Sequence, residues 1–453
     1  MSRAAWFLAP ALLVAMIALN PFNRPTYVMG DFRAFYCAAD VMRAGADPYL
    51  IEPLRSCEAA AGPPAEPAFL RSVALPAPLP PYALVLFVPL AMLPFPAAAL
   101  VYGVILIAAM TAAVALFARL TGVRAFVVAL AFAALTATVT YYVGQPVPIA
   151  LLALAGAALL LRRGRPVPAT ACIFVASIEP HVALPALVAI LLFVPRTRIP
   201  ALAFACIVAA VSFAVTGPQT TLEYLRDVVP AHAVANAYEW QFSLTSVLTS
   251  FGIAAPAAVR WGELMYAVML AAGVFAAYRL WRATGDRAVL VLVPPAFAVF
   301  GGVHVHFQQL VVAFPAVLYV CARYPRVRIP AATGITLAMI PWNVMGASLM
   351  AGFIPILVGL FAGLTMDRRR GLVLTVSAAA IAVSLLLFAV AGFGPQTVHF
   401  AARALPPDAL AETSWGAFSQ SVLAKPSFLT QWLRVPTLAG LTLGLYAIGR
   451  AAL

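Results

Sequence analysis

Residues 30–50 read GDFRAFYCAADVMRAGADPYL, the first polar patch after a hydrophobic N-terminal segment. Behind Asp31, apolar side chains recur at helical spacing, at Phe32, Phe35, Tyr36, Ala39 and Met42. Gly45 is well placed to end a helix, and Asp47-Pro48 to make a turn. The stretch predicts a short amphipathic helix with Asp31 at its N-cap. We expect it to lie flat where a membrane meets water, anchored by its apolar stripe.

The composition is that of an integral membrane protein. Of 453 residues, 64% are hydrophobic and only 9% are charged, and the mean hydropathy is +0.99. Soluble domains carry about 25% charged residues. The net charge of +13 comes from short arginine clusters between apolar runs, which is typical of cytoplasmic loops and does not require a nucleic-acid partner. Richness in Ala, Pro and Arg, with Lys425 the only lysine, suggests a GC-rich bacterial genome, so we expect a multi-pass protein of a bacterial inner membrane.

Apolar runs bracketed by proline, glycine or charge mark the predicted spans. They cover residues 4–19, 97–118, 124–143, 147–162, 167–178, 181–195, 199–217, 261–281, 288–302, 307–323, 329–345, 347–366, 371–393 and 434–452. We therefore predict one all-α polytopic domain over residues 1–453, with about 12–14 transmembrane helices. The arginine clusters place both termini in the cytoplasm. The periplasmic loops are then 20–96, with juxtamembrane and re-entrant helices, 218–260 and 394–433.

Unusual polar residues fall almost entirely on the outer connections of this topology. They are Asp31, Gln145, Glu179, His181, Glu223, Glu239, Gln241, Ser243, His304, His306 and Gln308. Polar groups at membrane depth are costly and tend to face a cavity. Their gathering on one side predicts a single cleft open to the periplasm. No internal repeat is visible, which weighs against an inverted-repeat transporter.

The candidate residues each allow two interpretations. Asp31 suits either a general base or a plain N-cap. Glu179 and His181 suit either a polar site or a solvated turn between helices. His304 and His306 suit a metal only on a strand, and no further ligand pattern completes a metal site, so phosphate binding or proton transfer is favoured. We expect no metal and no cofactor.

The cysteines show no metal-ligand spacing. Cys37 and Cys57 are free to pair if the first loop faces an oxidising compartment, which the sequence alone leaves open.

Several co-linear motifs resemble a known family. They are Asp31-x4-Tyr36-x2-Ala39, Gly45-x2-Pro48-Tyr49, Pro80-Pro81-Tyr82, Pro89-Leu90, Leu93-Pro94, Gly144-Gln145, Glu179-Pro180, Gln241-x-Ser243-Leu244, and His304 with His306. In this order they resemble glycosyltransferase family 87 of the GT-C superfamily, over about residues 25–320. Its characterised members are polyprenyl-phosphate-mannose-dependent α-mannosyltransferases.

The resemblance implies a GT-C fold and a catalytic Asp on the first outer loop, which Asp31 matches. It also implies a phosphate-binding histidine, which His306 or His304 matches. The family usually has Lys-Pro where this chain has Glu179-Pro180, so His181 or Arg33 becomes the candidate cation for the lipid phosphate. Gln145, Gln241 and Tyr36 complete the predicted substrate-binding set.

Together these points predict an inverting hexosyltransferase, with Asp31 as base at the periplasmic face. The expected partners are membrane lipids, a polyprenyl-phosphate sugar donor, most simply of mannose, and a lipid or glycan acceptor. The alternatives are a sugar–lipid transporter or flippase, with two alternating gates, and a catalytically inactive lipid-binding relative.

Overall fold

The computed structural model describes residues 29–62, 72–132, 143–239, 241–339, 347–366, 370–371, 374–375, 377, 405–422 and 432–453. Its helices, in chain order, are α1 Gly30–Arg43, α2 Ile51–Ala61, α3 Pro81–Ala91, α4 Phe95–Thr121, α5 Ala125–Phe132, α6 Val147–Arg162, α7 Pro166–Ala176, α8 Pro180–Phe193, α9 Arg198–Glu223, α10 Val229–Asn236, α11 Leu244–Ser250, α12 Ala255–Thr284, α13 Val289–Gly301, α14 Phe307–Arg323, α15 Arg328–Ala338, α16 Ala347–Thr365, α17 Ala411–Val422 and α18 Val435–Ala452. The predicted first span, 4–19, lies outside the described residues, as does almost all of 371–393.

The described chain is all-α and polytopic, as the hydropathy predicts. Three helical stretches are individually long and apolar enough to cross a membrane: Phe95–Thr121, Pro195–Asn236 and Ala255–Thr284. Others are shorter. Helix α6, with 16 residues, reaches about 24 Å against a hydrocarbon core of about 30 Å. The predicted spans 167–178 and 181–195 correspond to helices of 11 and 14 residues, which are too short to cross alone.

The predicted N-cap of the first outer helix is wrong. Helix α1 has Met29 as its N-cap, so Asp31 lies within the first turn and makes no capping hydrogen bond. A carboxylate there still complements the positive end of the helix dipole. The helix ends at Arg43, and Gly45 follows with φ +78°, a left-handed conformation that favours glycine. The Asp47 side chain accepts a hydrogen bond from the backbone N–H of Tyr49, which makes the expected turn.

The apolar stripe of α1 packs inside the protein and does not anchor the helix at a membrane surface. Phe32, Phe35 and Ala39 are buried. The Phe32 ring stacks on Tyr102 with centroids 4.4 Å apart, and other aromatic contacts reach Phe87 and Phe95. Helix α1 is therefore a structural element of the bundle, and its position is set by the aromatic side chains of α3 and α4.

A disulfide and contacts from a distant segment fix the chain around α1 and α2. Cys37 and Cys57 form a disulfide that ties α1 to α2. The stretch before α17 pairs with the chain after α1, where the backbone N–H of Ile51 donates to Ala409 O at 2.8 Å. Ser414 in α17 accepts a further hydrogen bond from the N–H of Ala74. Helix α17 is thereby fixed beside the loop that carries α1.

The opposite end of the bundle, where the arginine clusters lie, contains a compact ionic network around Asp286. Its Oδ1 accepts from Arg162 Nε at 3.0 Å and from the N–H of Ala288 at 3.1 Å. Its Oδ2 accepts from Arg162 Nη2 at 2.7 Å and from the Tyr319 hydroxyl at 2.9 Å. Arg323 lies 3.7 Å away and stacks over Tyr319. This carboxylate joins α6, the loop between α12 and α13, and α14.

Candidate functional site

A cavity of about 590 Å³ lies between α1, the loop before α3, the N-terminus of α8, α10, the loop before α14, and α17. Its polar lining residues come from segments far apart in the chain: Asp31, Tyr82, Gln145, Glu179, His181, Tyr224, His232, Asn236, Glu239, His304, His306, Gln308, Gln309 and Trp415. Prolines 76, 78 and 80, with Leu75 and Leu79, form an apolar side of the same cavity. The cavity therefore offers a polar wall and an apolar wall to one ligand.

Asp31 is held by Gln145, whose side-chain N–H donates to Asp31 Oδ2. Gly144 makes this contact possible. Its φ of +75° is a left-handed conformation, and a Cβ added there would lie only 2.5 Å from Phe32 Cβ. The Gly144-Gln145 pair thus brings the loop against α1 and presents an amide to the carboxylate.

Burial sets the protonation of Asp31. Desolvation raises its pKa from 3.8 to about 6, and the hydrogen bond from Gln145 opposes part of that rise. A carboxylate with this pKa is ionised at neutral pH and is more basic than an ordinary aspartate. Both properties suit a general base.

Glu179 lies at the turn between α7 and α8 and is buried. Gln309 Nε2 donates to Glu179 Oε2 at 3.5 Å, and His181 Nε2 lies 3.6 Å from the same oxygen. Desolvation, reinforced by the nearby negative charge of Asp31, raises the pKa of Glu179 to about 8. The carboxyl is therefore protonated, and neutral, in most molecules at pH 7.

Glu239 forms a second carboxyl–imidazole contact. Its Oε1 accepts a hydrogen bond from the Trp415 indole N–H, and its Oε2 lies 3.4 Å from His306 Nδ1. Desolvation raises the pKa of Glu239 to about 8 and lowers the pKa of His306 to about 3. Trp415 belongs to α17, so this part of the site needs the segment after residue 404.

Four histidines meet in the cavity wall. The His304 ring lies 5.4 Å from that of His181, 5.3 Å from that of His232 and 6.3 Å from that of His306, measured between centroids. Three buried ring nitrogens of this cluster have no hydrogen-bond partner among the described residues: His181 Nε2, His232 Nδ1 and His304 Nδ1. Buried polar groups are normally satisfied, so these nitrogens indicate where a polar ligand binds.

Asn236 fixes the tautomer of His232. Its side-chain Nδ2 donates to the carbonyl of His232 at 3.0 Å, so this atom is the amide nitrogen. The same Nδ2 lies 2.6 Å from His232 Nε2, which must therefore accept. The ring hydrogen is consequently on Nδ1, the nitrogen that lacks a partner. His232 thus presents an N–H donor to a ligand.

Gln241 does not line the cavity but positions the loop that carries His304 and His306. Its Oε1 accepts from the N–H of Val305 at 2.9 Å, and its Nε2 donates to the carbonyl of Asn236 at 3.0 Å. The N–H of Phe242 also donates to Val305 O. These bonds hold the loop carrying His304 and His306 against the end of α10.

The other predicted site residues divide into two groups. Asp31, Gln145, Glu179, His181, His304 and His306 all line the cavity. Arg33 and Tyr36 do not. Arg33 is two residues beyond Asp31 and projects from a different side of the helix, where it is buried, and the Tyr36 hydroxyl donates to the carbonyl of Leu93. His232, Asn236 and Trp415 were missed, although the predicted topology already put their loops outside.

Charge is distributed unusually in this site. Among the described residues that line the cavity there is no arginine or lysine. No group of three or more His, Cys, Asp and Glu side chains suited to a metal occurs in the described part of the chain. Histidines, amides and hydroxyls are the available partners for an anionic or hydroxyl-rich ligand.

The fold and the cavity together define a polytopic all-α membrane enzyme. The chain belongs to glycosyltransferase family 87, which its residues 79–305, half of its length, match. It is thus a membrane glycosyltransferase. No curated protein and no solved structure matches it. Asp31, His306 and Trp415 lie outside the matched residues, so their place in the site rests on the geometry of the cavity.

Proposed function

We propose that this glycosyltransferase transfers a hexose, mannose in the first instance, from a polyprenyl-phosphate sugar to a lipid or glycan acceptor. The observation that carries the proposal is the single cavity that combines a basic carboxylate, Asp31, with a cluster of partly unpartnered histidines. The carboxylate suits removal of the acceptor's proton, and the histidines suit binding of the leaving phosphate. The GT-C architecture is part of this proposal.

The reaction is an inverting displacement. Asp31 takes the proton of the acceptor hydroxyl, whose oxygen attacks the anomeric carbon of the donor. The bond from that carbon to the phosphate oxygen breaks on the opposite face, and the lipid phosphate leaves. Hydrogen bonds from His304, His306 and His232 stabilise the charge that develops on the phosphate. The anomeric carbon is then bonded to the acceptor oxygen in place of the phosphate oxygen, with inverted configuration.

A lipid-linked donor agrees with the shape of the cavity. Apolar side chains between Leu75 and Pro80 line the same cavity as the histidines. A nucleotide sugar carries a diphosphate with at least two negative charges, and the described lining residues include no arginine or lysine to match them. A phosphodiester with one negative charge and an apolar tail fits the cavity better on both counts.

A periplasmic active site agrees with the disulfide and with the arginine clusters. Disulfides form and persist in oxidising compartments such as the bacterial periplasm, and Cys37–Cys57 lies beside the cavity helix α1. The arginine-rich loops lie at the other end of the bundle, which the positive-inside rule assigns to the cytoplasm. We propose the bacterial inner membrane as the location.

The test is a transfer assay with the purified full-length chain in lipid nanodiscs. Polyprenyl-phosphate mannose and glucose, and the matching nucleotide sugars, are each radiolabelled and offered with bacterial lipid extract. We expect label to move to an acceptor from a polyprenyl-phosphate sugar only, with inversion at the anomeric carbon seen by NMR of the product. Transfer from a nucleotide sugar would contradict the donor class. Binding of the lipid donor without any transfer would identify an inactive relative.

A further inference from the structure

Two glutamate–histidine contacts of similar geometry occur in the cavity. Glu239 Oε2 lies 3.4 Å from His306 Nδ1, and Glu179 Oε2 lies 3.6 Å from His181 Nε2. The glutamate side chains are only 14% and 6% exposed. Since the described lining contains no arginine or lysine, each pair has to balance its own charge.

Electrostatics favours one shared proton in each pair. A lone buried charge is unfavourable, and a buried ion pair still loses much of the hydration of both ions. A carboxylic acid beside a neutral imidazole avoids both costs. This agrees with a pKa of about 8 for each glutamate and of about 3 for His306, all shifted by desolvation. The other titratable groups that line the cavity around the pairs are Asp31, Tyr82, Tyr224, His232 and His304.

We propose that these two pairs are internal proton-transfer pairs, which create the cationic site for the donor phosphate only when an anion enters the cavity. In each pair the carboxyl O–H bond breaks and an N–H bond forms on the facing imidazole nitrogen. The products are a carboxylate and an imidazolium, so the pair stays neutral overall. This inference rests on the proposed function, because the anion is the phosphate of the lipid donor or product.

The surrounding contacts stabilise each pair after proton transfer as well as before it. The Trp415 indole N–H donates to Glu239, and the Gln309 amide donates to Glu179. Either donor stabilises a carboxylate more than a carboxylic acid. The contacts of 3.4 and 3.6 Å are slightly longer than a hydrogen bond, as is common in empty active sites, and need to shorten by only a few tenths of an ångström.

The arrangement differs from a permanent cation in one respect. An arginine attracts any anion at all times, whereas a neutral pair acquires its positive side only beside a negative ligand. Both histidines line the cavity, so an anion bound there lies beside the imidazolium, while the carboxylates keep their hydrogen bonds to Trp415 and Gln309. Trp415 therefore acts as a positioning residue for Glu239, and Glu239 as a positioning residue for His306.

Infrared difference spectroscopy tests the proton transfer directly, because a protonated carboxyl has a C=O stretch that a carboxylate lacks. Methyl farnesyl phosphate, a phosphodiester with one negative charge, added to the full-length protein in nanodiscs, should remove intensity from this band, and farnesol should not. The loss should halve in Glu239→Gln and in Glu179→Gln, and vanish in the double variant. Glu412→Gln is the matched control, because Glu412 is also buried with a pKa of about 8 but does not line the cavity. This variant should show the full loss.

Calorimetry supplies a second test that needs no variant. If the protons move within the pairs, the heat of binding of methyl farnesyl phosphate, a phosphodiester that does not titrate near neutral pH, is the same in buffers of different ionisation enthalpy. Heat that varies with the buffer, or an unchanged carboxyl band, would overturn the inference. Sugar transfer without band loss would leave the proposed function standing and remove this inference. Band loss without transfer from any lipid-phosphate donor would leave the proton transfer standing and remove the proposed function.

Discussion

The two ends of this molecule treat buried charge in opposite ways. At the arginine-rich end, Asp286 accepts four hydrogen bonds and faces two arginines. In the cavity at the other end, Glu179 and Glu239 face histidines, and three buried histidine nitrogens make no hydrogen bond to any described residue. The first arrangement is complete without a ligand. The second is complete only when a ligand supplies the missing contacts.

The difference separates stabilising residues from functional ones. A satisfied network joins helices and contributes to folding, and its loss is felt as lower stability. An unsatisfied buried set costs stability and persists where it serves binding or catalysis. Substitutions at the arginine-rich end should therefore lower stability, and substitutions in the cavity should lower activity.

The largest effect is expected for Asp31→Asn. The amide still accepts the hydrogen bond from Gln145, so the fold should be kept, but it cannot take the acceptor's proton. We expect transfer to fall by roughly 10²–10⁴-fold, with an unchanged melting temperature in detergent. A variant that retains full activity would remove Asp31 as the base.

Gly144→Ala should reduce transfer by roughly 10²-fold, because a displacement near 1 Å is enough for such a loss. The added Cβ collides with Phe32 and Met29 and displaces the start of α1, which carries Asp31. Gly122→Ala is the matched control, since Gly122 has φ +81° and open space around its Cβ. Equal activity losses in the two variants would show that strain, and not the contact with α1, is responsible.

Asp286→Asn should lower the free energy of unfolding by about 2 kcal/mol, because charged hydrogen bonds are lost and Arg162 keeps an uncompensated charge. The activity per folded molecule should be unchanged. Burial tends to raise the pKa of Asp286, but its bonds from Arg162 lower it overall. Its stabilisation is therefore present above the unfolded-state pKa and is lost as the pH falls through the folded-state pKa. Thermal unfolding between pH 3 and 7 checks the sign.

Gln145→Leu should give the smallest change, a shift in a pH profile. The rate should fall as the pH drops through about 6, because the base Asp31 becomes protonated. Without the amide, the pKa of Asp31 rises and this acidic limb moves to higher pH. Gln219→Leu, which removes a similar bond to exposed Glu223, should leave the limb in place. If the rate of the Gln145→Leu variant falls at the same pH as that of the unchanged protein, a group other than Asp31 is responsible for the fall.

The sequence predicts the local features of this site well. Helical spacing and Gly45 delimit α1 at its C-terminal end, and the predicted topology places the loops of Glu179, His304 and Gln145 on one side. These features depend on a few neighbouring residues or on counting spans, so they need no knowledge of packing. The kink of α9 at Gly217 likewise coincides with the predicted end of a span.

Tertiary contacts explain what the sequence does not reveal. The stripe of α1 is apolar whether it faces lipid or protein, and only the aromatic side chains of α3 and α4 decide between them. Trp415 reaches Glu239 across 176 positions, from a segment without a motif. His232 is a single histidine on a short helix, and its role depends on Asn236. Arg33 seemed a suitable cation from its charge alone, but helix geometry turns it away from Asp31.

The most direct test of the central claim is a structure of the full-length chain with a bound polyprenyl phosphate. We predict phosphate density at the histidine cluster, with an oxygen about 2.7–3.2 Å from a nitrogen of His304 or His306. Asp31 should face the position that the transferred sugar occupies in the donor. Phosphate bound instead among the arginines at the Asp286 end, with the histidine cavity empty, would contradict the account.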